Sequence, residues 1–197
     1  MQRADHDLAF MLQYENIAWY EDGKVKILDR RIYPARVEFV TCGTHQEVAQ
    51  AITDMVTQSA GPYTAVPMGM ALAAHECRDK TAAEQMEYLR KAAHTISHAR
   101  PTTVKRMALL CDLCLAEAER ALAAGEDTAQ AIVNKTVELN NTRYERVAKI
   151  GKYLVDLFPE NGTVMTHCFA ETIVGMMLRE CSERGKHIRL FCPETRP

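Results

Sequence analysis

Residues 163–197, TVMTHCFAETIVGMMLRECSERGKHIRLFCPETRP, constrain the fold of this chain more than any other stretch. A short apolar run, Thr163-Val164-Met165, leads into the polar trio Thr166-His167-Cys168. Ile173, Met176, Met177 and Leu178 follow near helical spacing, and a second apolar run covers Ile188–Phe191 after Gly185-Lys186. Strand, helix and strand in that order predict one βαβ unit, because parallel neighbours need a crossover long enough for a helix. Ligands of open parallel sheets sit at the carboxyl ends of the strands. Cys168 and Glu194-Thr195-Arg196 fall at those ends. Two strands leave most of a sheet uncovered and unpaired. The expectation is therefore an active-site edge completed by further polypeptide, either a missing C-terminal half or a second chain.

The preceding text divides in two. Over residues 14–40, Ile17-Ala18-Trp19 and Val25–Leu28 flank Glu21-Asp22-Gly23, a hairpin signal, and Val37–Val40 is a third candidate strand beyond the break at Tyr33-Pro34. From Thr44 to about Phe158 the pattern is helical. Thr44 with Glu47, and Thr81 with Glu84, have capping-box spacing, in which each side chain satisfies the other residue's free backbone N–H. Pro101 suits a helix first turn, with Val104, Leu109, Cys111, Leu115 and Ala118 continuing it. Asp127 caps a further helix that Asn140-Asn141 is expected to interrupt, and Pro159-Glu160-Asn161-Gly162 is a loop. The resulting division is a β lobe over 1–43, a helical domain over 44–158, and the start of an α/β domain over 159–197.

Composition excludes several classes. A net charge of −2 makes no general case for nucleic acid, and no apolar run approaches the roughly 20 residues that span a bilayer. The acidic, polar start MQRADHD is not a signal peptide. Seven scattered cysteines then read as free thiols in a reducing cytoplasm.

Three places carry candidate chemistry. Ala99–Thr103 sets Arg100 and two hydroxyls at a helix start, where free N–H groups and the helix dipole favour a phosphate. Gln58–Tyr63 puts Ala60 and Gly61 between two helices, with backbone N–H groups able to face a ligand. Cys168 precedes a helix, a setting that lowers a thiol's pKa; the alternative is a structural cysteine. His167, as its strand neighbour, points to the opposite face. Cys111-x-x-Cys114 lacks the second ligand pair of a zinc site and reads as a buried helix face. His94 and His98 lack the glutamate of a metalloprotease motif, since Thr95 stands there. Arg143, Arg146 and Lys149 read as a solvated helix face, and Asp29 and Arg30 as structural. No metal is expected.

Four of these segments, in order, resemble one family. Trp19…Ile27-Leu28-Asp29-Arg30-Arg31…Pro34 resembles its opening hairpin, and Arg100-Pro101-Thr102-Thr103-Val104 its arginine-proline-threonine helix start. Thr166-His167-Cys168 resembles its catalytic cysteine segment, and Glu194-Thr195-Arg196-Pro197 its strand-end motif. The family contains methylthioribose-1-phosphate isomerase, ribose-1,5-bisphosphate isomerase and the regulatory subunits of translation initiation factor 2B. The resemblance implies an α/β fold: a small antiparallel β lobe, an α-helical bundle and a Rossmann-like domain, the last incomplete in this chain. It implies aldose–ketose isomerisation of a pentose 1-phosphate without metal or cofactor. Cys168 would be catalytic, Arg100, Ala60, Gly61, Thr166 and Arg196 would bind substrate, and the protein would be a homodimer. Two departures stand out. Gln58-Ser59-Ala60-Gly61 replaces the isomerases' arginine-glycine-alanine segment, removing a charge-assisted phosphate contact. The family's catalytic aspartate lies beyond Pro197. A non-catalytic regulatory or assembly module is the alternative.

Overall fold

A computed structural model describes residues 3–193. The chain forms two compact units: Tyr14–Asn140, and a second that gathers the residues up to Gln13 with those from Asn141 onward. These units do not follow the expected boundaries at 43 and 158, because the small sheet shares one core with the helices that follow it.

The first unit begins with a single helical turn, α1 (Tyr14–Ile17), so Ile17 is helical rather than the start of a strand. Strands β1 (Ala18–Glu21), β2 (Lys24–Leu28) and β3 (Phe39–Cys42) form an antiparallel sheet in that order. The third strand lies two residues later than the Val37–Val40 run suggested; Val40 pairs with Ile27 and Cys42 with Val25. Asp22 and Gly23 both take positive φ (48° and 72°), the geometry a two-residue hairpin loop requires. A side chain at Gly23 would also meet the His75 ring, only 2.7 Å from a built Cβ. Alternation along β2 sends Val25 and Ile27 inward, both fully buried, while Lys24 and Lys26 stay exposed.

Helices α2 (His45–Thr53), α3 (Pro62–Glu76), α4 (Ala82–Ser97) and α5 (Val104–Ala124) build the rest of this core. Thr81 and Glu84 close the full capping box: Oγ1 of Thr81 accepts from the Glu84 N–H, and the Glu84 carboxylate from the Thr81 N–H. At α2 only half of it forms. Thr44 accepts from the Glu47 N–H, but the Glu47 carboxylate reaches one residue further back, to the N–H of Gly43 at 2.6 Å. Helix α3 is buried on nearly every side, from Thr64 to Ala74, as a helix apolar all round must be. Val48 of α2 and Ile96 of α4 close on it at Gly69, where a Cβ would lie 2.8 and 3.1 Å from their side chains. In α5 the buried positions are Met107, Leu110, Cys111, Cys114, Ala118 and Ala121; Leu109, assigned to the apolar face from sequence, is 60% exposed. The positions three, four and seven residues apart select Leu110 instead.

Helix α6 (Thr128–Asp156) runs unbroken through Asn140-Asn141, against expectation. Asp127 caps its start, accepting from the Gln130 N–H at 3.0 Å. Both asparagines are buried and hydrogen-bonded, so their amides bond to side chains and backbone outside the helix instead of competing for its own carbonyls.

In the second unit, β4 (Asn161–Met165), α7 (Glu171–Glu183) and β5 (His187–Phe191) form the expected parallel βαβ unit, with Val164 opposite Leu190. One sheet face, Ile188 and Leu190, packs on Val155, Val174, Met177 and Cys181. On the other, Met165 and Phe191 remain 71% and 51% exposed. The Lys186 ammonium donates to the carbonyls of Val155 and Phe158, satisfying the end of α6. Fully buried Tyr144 donates its hydroxyl to the Leu12 carbonyl at 2.7 Å, tying the N-terminal segment to α6.

Candidate functional site

Within the first unit, a cleft of about 300 Å³ opens between the start of α3 and the start of α5. Ser59, Pro62, Tyr63, Arg100, Thr103, Arg106, Met107 and Leu110 line it. Two of the three sequence-singled places therefore meet here, because α3 and α5 pack side by side and both begin at this end of the unit. Arg100 is extended and half-buried, and a 3₁₀ turn over Pro101–Thr103 separates it from α5 proper. Its guanidinium makes no hydrogen bond or ion pair among the described residues. Met107 and Leu110, nearly buried, give the cleft an apolar floor.

Arg106 also lines the cleft and was not picked out from sequence. It donates to the Tyr63 hydroxyl, and its guanidinium carbon lies 5.4 Å from the centroid of that ring. In sequence it is indistinguishable from an arginine on a solvated helix face.

The Gln58–Tyr63 loop behaves differently from expectation. The Gly61 N–H donates to the Gln58 carbonyl at 2.8 Å, inside the turn, and so is not turned toward a ligand. Gly61 is buried, and a Cβ there would fall 1.9 Å from the Thr57 hydroxyl. The need for glycine is thus one of close packing. Ala60 is partly exposed beside it and accepts from the Tyr63 N–H. Gln58 turns its amide back onto the Met55 carbonyl.

Within the second unit, Cys168 lies in the connection between β4 and α7, at the carboxyl end of β4. The α7 N-cap is Ala170, so the cysteine stands two residues outside the helix. Its thiol is partly exposed, whereas Cys42, Cys77, Cys111, Cys114 and Cys181 are buried. Thr166 faces the end of β5: its hydroxyl lies 3.3 Å from the Cys192 sulfur and its N–H donates to the Phe191 carbonyl. Cys192, partly exposed at the end of β5, is a second thiol on this edge that the sequence reading passed over. His167 is exposed. Arg196 and Glu194 lie outside the described residues.

Burial raises the Cys111 thiol to about 12 and raises that of Cys114 as well, so both stay protonated at neutral pH. His94 and His98 stack with ring centroids 4.0 Å apart, and His98 bonds the His94 carbonyl through Nδ1. Among the described residues no group of three or more His, Cys, Asp or Glu side chains is arranged to hold a metal ion. Asp29 accepts two hydrogen bonds from the Arg31 side chain and one from its N–H. No helix among the described residues is long and apolar enough to cross a membrane.

The architecture defines a class: a three-stranded antiparallel sheet and helical bundle followed by a parallel βαβ unit, the arrangement seen in about half of two solved structures. The crystal structure of translation initiation factor eIF-2B subunit delta from Archaeoglobus fulgidus superimposes with a TM-score of 0.72 at 26% identity, covering 92% of this chain and 55% of that one. That of 5-methylthioribose 1-phosphate isomerase from Pyrococcus horikoshii shares the fold, with a TM-score of 0.66 at 22% identity over 96% of this chain and 55% of that one. The chain belongs to the Initiation factor 2 subunit family, whose profile matches residues 61–197. Methylthioribose-1-phosphate isomerase of Carboxydothermus hydrogenoformans is 30% identical over 190 residues, 91% of this chain and 54% of the relative. That of Koribacter versatilis is 28% identical over 196 residues, 93% and 54% respectively. The chain thus spans about half the length of these relatives.

Proposed function

We propose that this chain is the N-terminal half of an isomerase that converts a pentose 1-phosphate, of the methylthioribose-1-phosphate or ribose-1,5-bisphosphate type, to its ketose phosphate. One observation carries the reading: Arg100 presents a guanidinium without a counter-charge among the described residues to a cleft of sugar-phosphate size. A phosphate there would gain charge-assisted, forked hydrogen bonds that no protein carboxylate competes for. The hydroxyls of Ser59 and Thr103 supply further polar contacts, and the Met107–Leu110 floor excludes water beneath the sugar. Cys168 is assigned to proton or hydride movement between C1 and C2. Its support is a partly exposed thiol at the strand end where open parallel sheets bind ligands. Homodimerisation and a cytoplasmic setting complete the proposal.

Pentose 1-phosphates should raise the melting temperature of the chain, since a ligand held only by the native form stabilises it. Turnover is expected when the chain is joined to the C-terminal half of a homologous isomerase, and Cys168→Ala should abolish it while ligand binding persists. Normal turnover in that variant would remove the thiol from the mechanism.

A second reading has its own support. The 26%-identical solved structure is that of a translation initiation factor subunit, and Gln58, its amide bonded to the Met55 carbonyl, brings no cation to the loop before α3. A regulatory module would show neither stabilisation by pentose phosphates nor turnover in the joined enzyme.

A further inference from the structure

The cleft at the start of α3 and α5 carries more positive charge than the single Arg100 requires. Arg100 and Arg106 both line it, and no Asp or Glu does. Among the described residues neither guanidinium is paired with a carboxylate. Arg31, by contrast, is paired with Asp29, and Arg120 with Glu117 and Glu126. Two unmatched guanidiniums at one cleft repel each other, and an anion placed between them relieves that repulsion.

Arg106 is also held. Its long side chain would lose several rotamers on binding a ligand, but the bond to the Tyr63 hydroxyl and the position over the Tyr63 ring restrict it beforehand. The phenol takes one of the five guanidinium N–H donors and leaves the others for a ligand. Tyr63 itself is fixed near the first turn of α3, its N–H bonded to the Ala60 carbonyl. Among the residues that line the cleft, Arg100 and Arg106 carry its positive charge.

We infer that Arg106, oriented by Tyr63, is a second phosphate-binding cation that clasps a phosphoryl group together with Arg100. The inference rests on the phosphate reading of the cleft given above and adds a binding residue and its positioning residue to it. No covalent step is involved.

The test is a titration of the full chain with inorganic phosphate at pH 8 and constant ionic strength, followed by calorimetry. Arg106→Ala should weaken binding about tenfold or more, the loss of one charged hydrogen-bonding partner. Arg106→Lys should recover part of this, because charge returns without the fork or the ring contact. Tyr63→Phe should weaken binding several-fold although no charge changes, and the melting temperature without phosphate should stay at the wild-type value in all three. Wild-type affinity in Arg106→Ala, with binding lost in Arg100→Ala, would overturn the inference and leave the phosphate reading intact. Wild-type affinity in Tyr63→Phe would remove the positioning role. Absence of phosphate binding by the unaltered chain would overturn both the inference and the reading beneath it.

Discussion

The Asn140 amide donates to the Thr64 hydroxyl at 3.1 Å, with both side chains buried, and so joins α6 to α3 in the middle of the first unit's core. The bond turns a residue type that favours turns into a core contact between two helices. Asn140→Ala leaves the buried Thr64 hydroxyl without this partner, a loss of about 1–3 kcal/mol. Urea unfolding followed by circular dichroism should show the midpoint shift with an unchanged slope.

At Gly69 of α3, side chains from α2 and α4 close in. An alanine methyl would press on Val48 at 2.8 Å and Ile96 at 3.1 Å. Overpacking of this kind costs about 1–3 kcal/mol, against the roughly 1 kcal/mol that alanine gains over glycine within a helix. The stiff Val48 side chain decides the sign, and Gly69→Ala should lower the melting temperature. A rise would show that Val48 and Ile96 yield freely.

The thiols divide by burial. Cys168 and Cys192 are partly exposed and the other five are buried. A thiol reagent at neutral pH should modify two cysteines in the folded chain and all seven in urea. Early modification at Cys111 or Cys114 would contradict the packing of α5.

Alkaline pH should destabilise the fold. Burial raises Cys42 to about 11, Cys111 to about 12 and the Tyr144 phenol to about 12. In the unfolded chain a thiol ionises near pH 8.5 and a phenol near pH 10. The stabilisation is complete below the unfolded values. It falls as pH rises from about 8.5 toward 11–12, where the unfolded chain binds fewer protons than the folded one. Urea midpoints measured from pH 7 to 11 should decline beyond pH 8.5, and Cys111→Ala or Cys111→Ser should flatten part of that decline.

Asp29 gives the opposite slope on the acid side. Hydrogen bonds from Arg31 hold its carboxyl below the usual range. That contribution is present above about pH 4 and is lost as pH falls through the lowered folded value. Asp29→Asn should cost about 1–2 kcal/mol at pH 7, and the gap to the unaltered protein should narrow at pH 3.

The local elements of this chain were legible because they depend on near neighbours. The Asp22-Gly23 turn, the Thr81–Glu84 box, the Asp127 cap and the strand–helix–strand order of residues 161–191 rest on residues a few positions apart. Their energetics are complete within one or two turns of chain. Leu109 and Leu110 show the limit: two equivalent leucines adjoin, and only the direction of the neighbouring helices buries one and exposes the other. The same holds at the candidate site. Arg100 announced itself by standing before a proline at a helix start, whereas Arg106 looked like any arginine on a solvated face.

The residue types, caps and periodicities by themselves determined the order of the main helices and strands, and hence the α/β class. Tertiary structure alone decided what the side chains meet: that Asn140 finds Thr64 instead of ending a helix, and that Tyr63 and Arg106 share a cleft. Those partners lie tens of residues apart in sequence. Their meeting depends on how whole helices pack, a long-range property that no short window of sequence contains.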